Sequence, residues 1–310
     1  MPSTRVRIGL SVMIAVTASI LCWIQLERRA QLAADFNFAW RAAWYLLDGQ
    51  NPYSAIQPAG DYPFQTYFYY PLTAAIAAIP FVWLPPYLAG ALFFGASSGF
   101  LGYALLQDGW KRLPLFLSAP YWIAMSVAQW SPLIAAAALL PGLQWLLVCK
   151  PNIGLAAFAY RPTRLGLVGM GAFLLVTLLW QPTWPIDWIR LTRELKGHPP
   201  PFLVLPLGPV LLLALLRIRK PAGRLFLGLS LLPQLLFFYD QLLVGLIPNT
   251  IKSGLIYSGL SWAAYLGWRL VTTLNPGLQV QPALFVIALI YFPALIFLFT
   301  DNNRKAESGW

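Results

Sequence analysis

The sequence predicts an all-α, polytopic integral membrane protein, and three observations carry that expectation. Of its 310 residues 59% are hydrophobic and only 10% charged, with a mean hydropathy of +0.64, well outside the range of soluble domains. Apolar runs near the roughly 20 residues a helix needs to cross a bilayer recur along the chain, which sets an expectation of roughly 8–11 transmembrane segments with half-helices counted. Lysine and arginine give a formal net charge of +11 but gather in short intervals between those runs. That is how a membrane protein fixes its orientation, not how a soluble one binds nucleic acid. Cys22 and Cys149 lie in or beside apolar runs and His198 is the one histidine, so no disulfide framework, metal centre or cofactor is expected.

Residues 8–26 (IGLSVMIAVTASILCWIQL) read as a first span and a retained anchor, longer than a signal-peptide core and without a small-residue cleavage site. Arg5 and Arg7, Arg161 and Arg164 in YRPTR, Arg217, Arg219, Lys220 and Arg224 in RIRKPAGR, and Arg304 and Lys305 mark the cytoplasmic side. Both termini are then cytoplasmic, in a cell membrane of the bacterial inner-membrane kind. Residues 27–70 and 182–200 are the extracytoplasmic loops, within a single transmembrane domain that fills residues 1–310.

Residues 71–86, with prolines at 71, 80, 85 and 86, either span or re-enter. Re-entry is preferred: it makes Lys111 and Arg112 cytoplasmic and turns the interruptions at 129–132 (QWSP) and 149–152 (CKPN) toward one outer cavity, where non-helical backbone is tolerated. Residues 165–181 cross outward, TWPIDWIRLTRELKGHPPP lies on the membrane surface as an amphipathic helix, and 201–216 return. In the stretch from 225, Pro233 and Asp240 divide the run into two half-helices. Residues 253–273 and 281–300 cross out and back.

The first outer loop opens on ADFNFAWRAAWYLLDGQNPYSA. Phe36, Trp40, Ala43, Trp44 and Leu47 follow helical spacing, so residues 36–47 read as an interfacial helix stopped by Gly49. Asp35 at its start reads as the N-cap, accepting from the amide of Asn37 or Phe38 while its second oxygen stays able to face a cavity. Six aromatics between 62 and 70 form an interfacial belt or a platform for sugar stacking. Lys150 sits where a cation is costly unless paired or hydrated; it snorkels, pairs with Asp240, or serves as counter-charge to a phosphate. Asp240, preceded by Tyr239, pairs with Lys150 or Arg269 or has a functional role. Gln129 bridges helices or binds sugar hydroxyls. Arg41 lies on a solvated helix face or binds phosphate, and His198 is a surface residue or a phosphate and proton-transfer group.

Several of these residues carry a resemblance. An early Asp35 in an outer loop, the turn Leu46, Leu47, Gly49, Pro52, Tyr53, and Tyr69-Tyr70-Pro71 opening the next apolar segment are similar to the polyprenol-phosphate-sugar-dependent glycosyltransferases of the GT-C fold, in particular glycosyltransferase family 87, the mannosyltransferase-like group. Gln129, Lys150-Pro151 and the Pro-aromatic-Tyr-Asp stretch ending at Asp240 extend the likeness over about residues 8–245, with Ala128 where the family has glycine.

The resemblance implies a GT-C-like helical bundle and an inverting transfer of one sugar, of the mannose type. The donor is a polyprenyl phosphate and the acceptor a lipid or glycan, at the outer face of the bilayer and without a metal. It implies Asp35 as catalytic base, with Gln129, Lys150, Tyr239, Asp240, Arg41, Tyr53 and His198 around the substrates. A transporter or lipid-binding membrane protein, or a reduced GT-C-like protein without activity, stays open beside it. Against a transporter stands the lack of any half-to-half repeat.

Overall fold

The computed structural model describes residues 2–58, 60–193, 198–277 and 280–301, so Arg304, Lys305 and part of the 182–200 loop lie outside the described residues. Within them every regular element is helical. In chain order these are α1 (Thr4–Arg28), α2 (Asp35–Leu47), α3 (Pro52–Ala55), α4 (Leu72–Ala78), α5 (Pro86–Leu106), α6 (Ala119–Met125) and α7 (Ser131–Leu139). Then come α8 (Pro151–Tyr160), α9 (Arg164–Trp180), α10 (Trp184–Thr192), α11 (Pro221–Leu231), α12 (Ile251–Leu274), α13 (Ala283–Val286) and α14 (Phe292–Thr300). Segments of 3-10 helix, the longest being Pro141–Cys149, Gly208–Arg217 and Tyr239–Leu246, connect several of them.

Among the described residues three helices are long and apolar enough to cross a membrane: α1, α5 and the run Ala283–Thr300, in which a π-helical turn joins α13 to α14. The pair α9 and α10, bent by 101°, makes a fourth if it counts as one span. Other apolar runs are divided into shorter pieces, because proline removes a backbone donor wherever it falls. The 71–86 segment is one example: α4 tightens into a 3-10 turn over Ile79–Phe81 and stops.

The two long N-terminal helices pack closely because α5 presents glycine to α1. A Cβ at Gly95 would lie 1.8 Å from the Ser19 Oγ, and one at Gly99 2.9 Å from the Ala15 Cβ, so the backbones approach as small-residue helix pairs do in membranes. On its opposite face α1 exposes Ile8, Val12, Val16 and Ile20, four residues apart along one stripe. A patch of that kind suits hydrocarbon rather than water.

In the loop between α1 and α4, α2 is wedged between two cores rather than lying on a surface. Phe36, Ala39, Trp40 and Ala43 join the main core, while Phe38, Ala42, Tyr45 and Leu46 join a second cluster with Tyr53, Phe64 and Phe68. The expected stripe holds only in part, since Trp44 and Leu47 are exposed. The aromatics after residue 61 supply this second core more than a belt. Gly49 ends the helix as expected: at φ 73° it lets Gln50 N–H reach the Tyr45 carbonyl (2.9 Å) and its own N–H reach Leu46 (3.3 Å), the paired bonds of a Schellman stop.

The two predicted outer loops meet. Asn51 Nδ2 donates to Asp187 Oδ2 of α10 (3.0 Å), and the Trp188 indole donates to the Tyr69 carbonyl (2.8 Å). Lys111, Arg112, Arg161 and Lys220 also meet, around one cavity.

Candidate active site

Asp35 is the first residue of α2, not its cap. Ala34 occupies the cap position with no side-chain bond, and the Asp35 amide donates to the Val127 carbonyl at 2.9 Å. A tertiary contact has replaced the local capping bond, and the carboxylate is turned toward the bundle. There Gln129 Nε2 donates to Asp35 Oδ2.

Gln129 is buried in the turn between α6 and α7, where Ala128 has φ 48°. A left-handed residue here explains why glycine suits this position; alanine accepts it at a cost of about 1–2 kcal/mol. The glutamine oxygen Oε1 accepts from Lys150 Nζ (2.9 Å), from the Trp130 amide (2.8 Å) and, at the limit of bonding distance, from the Tyr70 hydroxyl (3.5 Å). With donors on that side, the amide can only present its N–H groups to Asp35.

Lys150 lies between the 3-10 segment Pro141–Cys149 and α8, buried at 8% exposure. Besides Gln129 it contacts Asp240 Oδ1 at 2.5 Å, and its ammonium stands 5.3 Å from the Tyr239 ring centroid. Asp240, 1% exposed, is the second residue of the Tyr239–Leu246 segment and also receives the Ser131 hydroxyl at 3.5 Å. Phe238, at φ 71°, turns the chain into this segment. Left-handed backbone thus stands at two of the entries to the cluster, where strain is held by the surrounding packing.

Asp35, Gln129, Lys150 and Asp240, from four distant parts of the chain, therefore form one hydrogen-bonded array. Asp240 pairs with Lys150 rather than Arg269. Two partners, Gln129 and Asp240, satisfy the ammonium at this depth, where it is tolerated only when paired and hydrogen-bonded. Tyr239 belongs to the array through its ring.

The other expected residues lie further out. Tyr53 is buried behind the array, its hydroxyl donating to the Tyr70 carbonyl (3.1 Å). Arg41 is half-buried; its guanidinium lies 4.4 Å from the ring centroid of the exposed Trp44 and 4.7 Å from that of Tyr45, with Nε buried and unbonded. His198 is half-buried in the connection before Pro201. Sequence reasoning passed over Tyr70 and Ser131 as array members. The only signal for either was its place beside a proline that opens a helix.

Burial pushes the Asp35 carboxyl up to about 6, against the charge of Lys150, which lowers it, and with that of Asp240, which raises it further. Asp35 is nevertheless partly open, and Oδ1 has no hydrogen-bond partner among the described residues. One oxygen is held and the other can take a proton. No protein-family model matches the chain, and no characterised protein or solved structure is detectably similar to it.

Proposed function

We propose that the chain is a multi-pass membrane glycosyltransferase of the GT-C type. It moves one sugar, mannose by the resemblance, from a polyprenyl-phosphate donor to a lipid or glycan acceptor at the extracytoplasmic face, with both termini cytoplasmic. The observation that supports this reading most is the array itself: Asp35, Gln129, Lys150 and Asp240 all lie in stretches that carry the resemblance, and they converge on one half-open carboxylate.

In the proposed reaction Asp35 Oδ1 takes the proton of the acceptor hydroxyl as that oxygen bonds to the anomeric carbon. The bond from that carbon to the donor phosphate breaks, and its electron pair leaves with the phosphate. A single displacement inverts the centre and needs no second carboxylate nucleophile. Gln129 fixes the orientation of Asp35, and Lys150 fixes Gln129. Arg41, six residues along α2 and so about 9 Å of helix rise from Asp35, supplies positive charge for the departing phosphate. Arg41→Gln is expected to raise KM for the donor with a smaller change in kcat, measured in steady-state assays over a range of donor concentration.

The pH dependence follows from Asp35. As a base it must be ionised, so kcat/KM is expected to fall below an apparent pKa of about 6. Stability runs the other way. The folded-state pKa is raised, so this group's contribution to stability is complete below the unfolded value and is lost as pH rises through the folded one. A rate that falls on acidification to pH 5 while the folded fraction holds is the expected result; a rate flat across that range would remove Asp35 as the base.

Orientation is tested by cysteine labelling. Gln57 and Arg219 are exposed, while Cys22 and Cys149 are buried and should stay silent. Cysteine at 57 is expected to react with an impermeant maleimide in intact cells, and cysteine at 219 only after permeabilisation. The opposite pattern would place the array on the cytoplasmic side.

The rival reading is a transporter. It is favoured by broken backbone around the buried Lys150–Asp240 pair, a construction transporters use for binding sites. Release of polyprenyl phosphate separates the two, since a transporter leaves its substrate intact.

A further inference from the structure

At the far end of α8 from Lys150, about 15 Å away by helix rise, is a second charged site, and it plays no part in the array. A cavity of about 280 Å³ is lined by Lys111, Arg112, Arg161 and Lys220, with Asp108 as the only carboxylate among its lining residues. Arg112 is buried at 9% exposure. Its Nη2 donates to the Tyr160 hydroxyl (3.2 Å), and Nη1 stands 3.5 Å from Asp108. Nε makes no hydrogen bond, and Nη1 has the ion pair with Asp108 in place of one.

The same cavity receives the start of α11. Lys220 holds the cap position without a side-chain cap bond, Pro221 follows it, and Ala222 also lines the cavity. The positive end of the α11 dipole therefore borders the space that the cations surround. Charge excess, a buried guanidinium with one unbonded nitrogen and a helix start without a side-chain cap are separate features, and each is answered by an oxyanion with several acceptor oxygens. At about 280 Å³ the cavity has room for a phosphate group.

We propose that this cavity binds a phosphate group, with Arg112 and Lys220 as its principal ligands. The phosphate belongs either to a phospholipid headgroup of the adjoining leaflet or to a soluble phosphate. The site is independent of the transfer reading.

The test uses purified full-length protein in neutral detergent and in nanodiscs. Inorganic phosphate is titrated against chloride at matched ionic strength, with the thermal unfolding midpoint as readout, because a ligand that binds only the native state raises it. In parallel, native mass spectrometry compares retention of phosphatidylglycerol with phosphatidylcholine. At least one probe is expected to bind, and Arg112→Gln and Lys220→Gln are each expected to weaken it about tenfold or more, the worth of a charge-assisted hydrogen bond. Arg219→Gln, which removes an exposed neighbouring charge outside the cavity, should leave binding unchanged.

A midpoint shift with inorganic phosphate marks a soluble phosphate; retention of phosphatidylglycerol without such a shift marks the headgroup. Lys220 is half-buried, so Lys220→Gln keeps the test available if Arg112→Gln does not fold. Neither probe binding, or binding that falls equally in Arg219→Gln, overturns the proposal. Asp35→Asn should bind as the wild type does, so loss of this site and loss of sugar transfer are distinguishable.

Discussion

Asp35→Asn is expected to lower the rate of sugar transfer by about 100- to 10,000-fold, the usual contribution of a general base, while the protein stays folded and inserted. The geometry makes this a substitution with little structural cost. Asp35 caps nothing with its side chain, and Asn keeps an oxygen that can accept the Gln129 Nε2 bond. What it loses is the ability to take a proton at the open position. Asp48→Asn is the control at the other end of α2. Asp48 is exposed and bonded only to Gln50 Nε2 (2.7 Å) among the described residues, so the rate should be near that of the wild type. Transfer by Asp35→Asn at more than about a tenth of the normal rate would place the base elsewhere.

The Lys150–Asp240 pair carries the second large effect, this time on stability. Lys150→Met leaves a carboxylate buried at 1% exposure without its partner, and breaking a buried pair from one side costs about 3–5 kcal/mol. Asp240→Leu strands the ammonium at a similar cost. The double variant Lys150→Met/Asp240→Leu should recover most of that loss, because neither charge remains to be desolvated. Activity should not recover with it. Without the ammonium at its oxygen, Gln129 keeps only the Trp130 amide and the long Tyr70 contact there, and it holds Asp35 less firmly.

The exchange Lys150→Asp/Asp240→Lys sharpens the point. It restores the charge pair but puts an acceptor where Gln129 Oε1 needs a donor. Stability near the wild type with the rate still depressed is the expected outcome, read from denaturation midpoints beside initial rates. Full activity in the exchanged protein would show that the pair is only a brace.

Much of this was legible in the sequence, and the rest failed for identifiable reasons. Helix existence followed the apolar runs: α1, α9, α12 and the Ala283–Thr300 stretch lie where hydropathy put them, whereas α5 was not singled out. Gly49 announced the end of α2. Asp35 was misplaced by one position, since the capping preference is local whereas the Val127 carbonyl and Gln129, which decide its role, are more than 90 residues away. Composition could mark Lys150 and Asp240 as costly charges but could not name their partner; the 2.5 Å contact does. Tyr70 stood out only as part of the Tyr69-Tyr70-Pro71 motif, which says nothing of its contact with Gln129. The basic intervals around Arg161 and Lys220 read as topology signals, and nothing in one dimension says that Lys111 and Arg112 join them around a cavity.

The most direct measurement is whether purified protein liberates polyprenyl phosphate from a panel of lipid-linked sugars in the presence of lipid and glycan acceptors. The expected result is release matched by sugar appearing on the acceptor with inverted anomeric configuration. Folded wild-type protein that releases nothing from any donor, or that moves the intact donor across a bilayer, would contradict a glycosyltransferase.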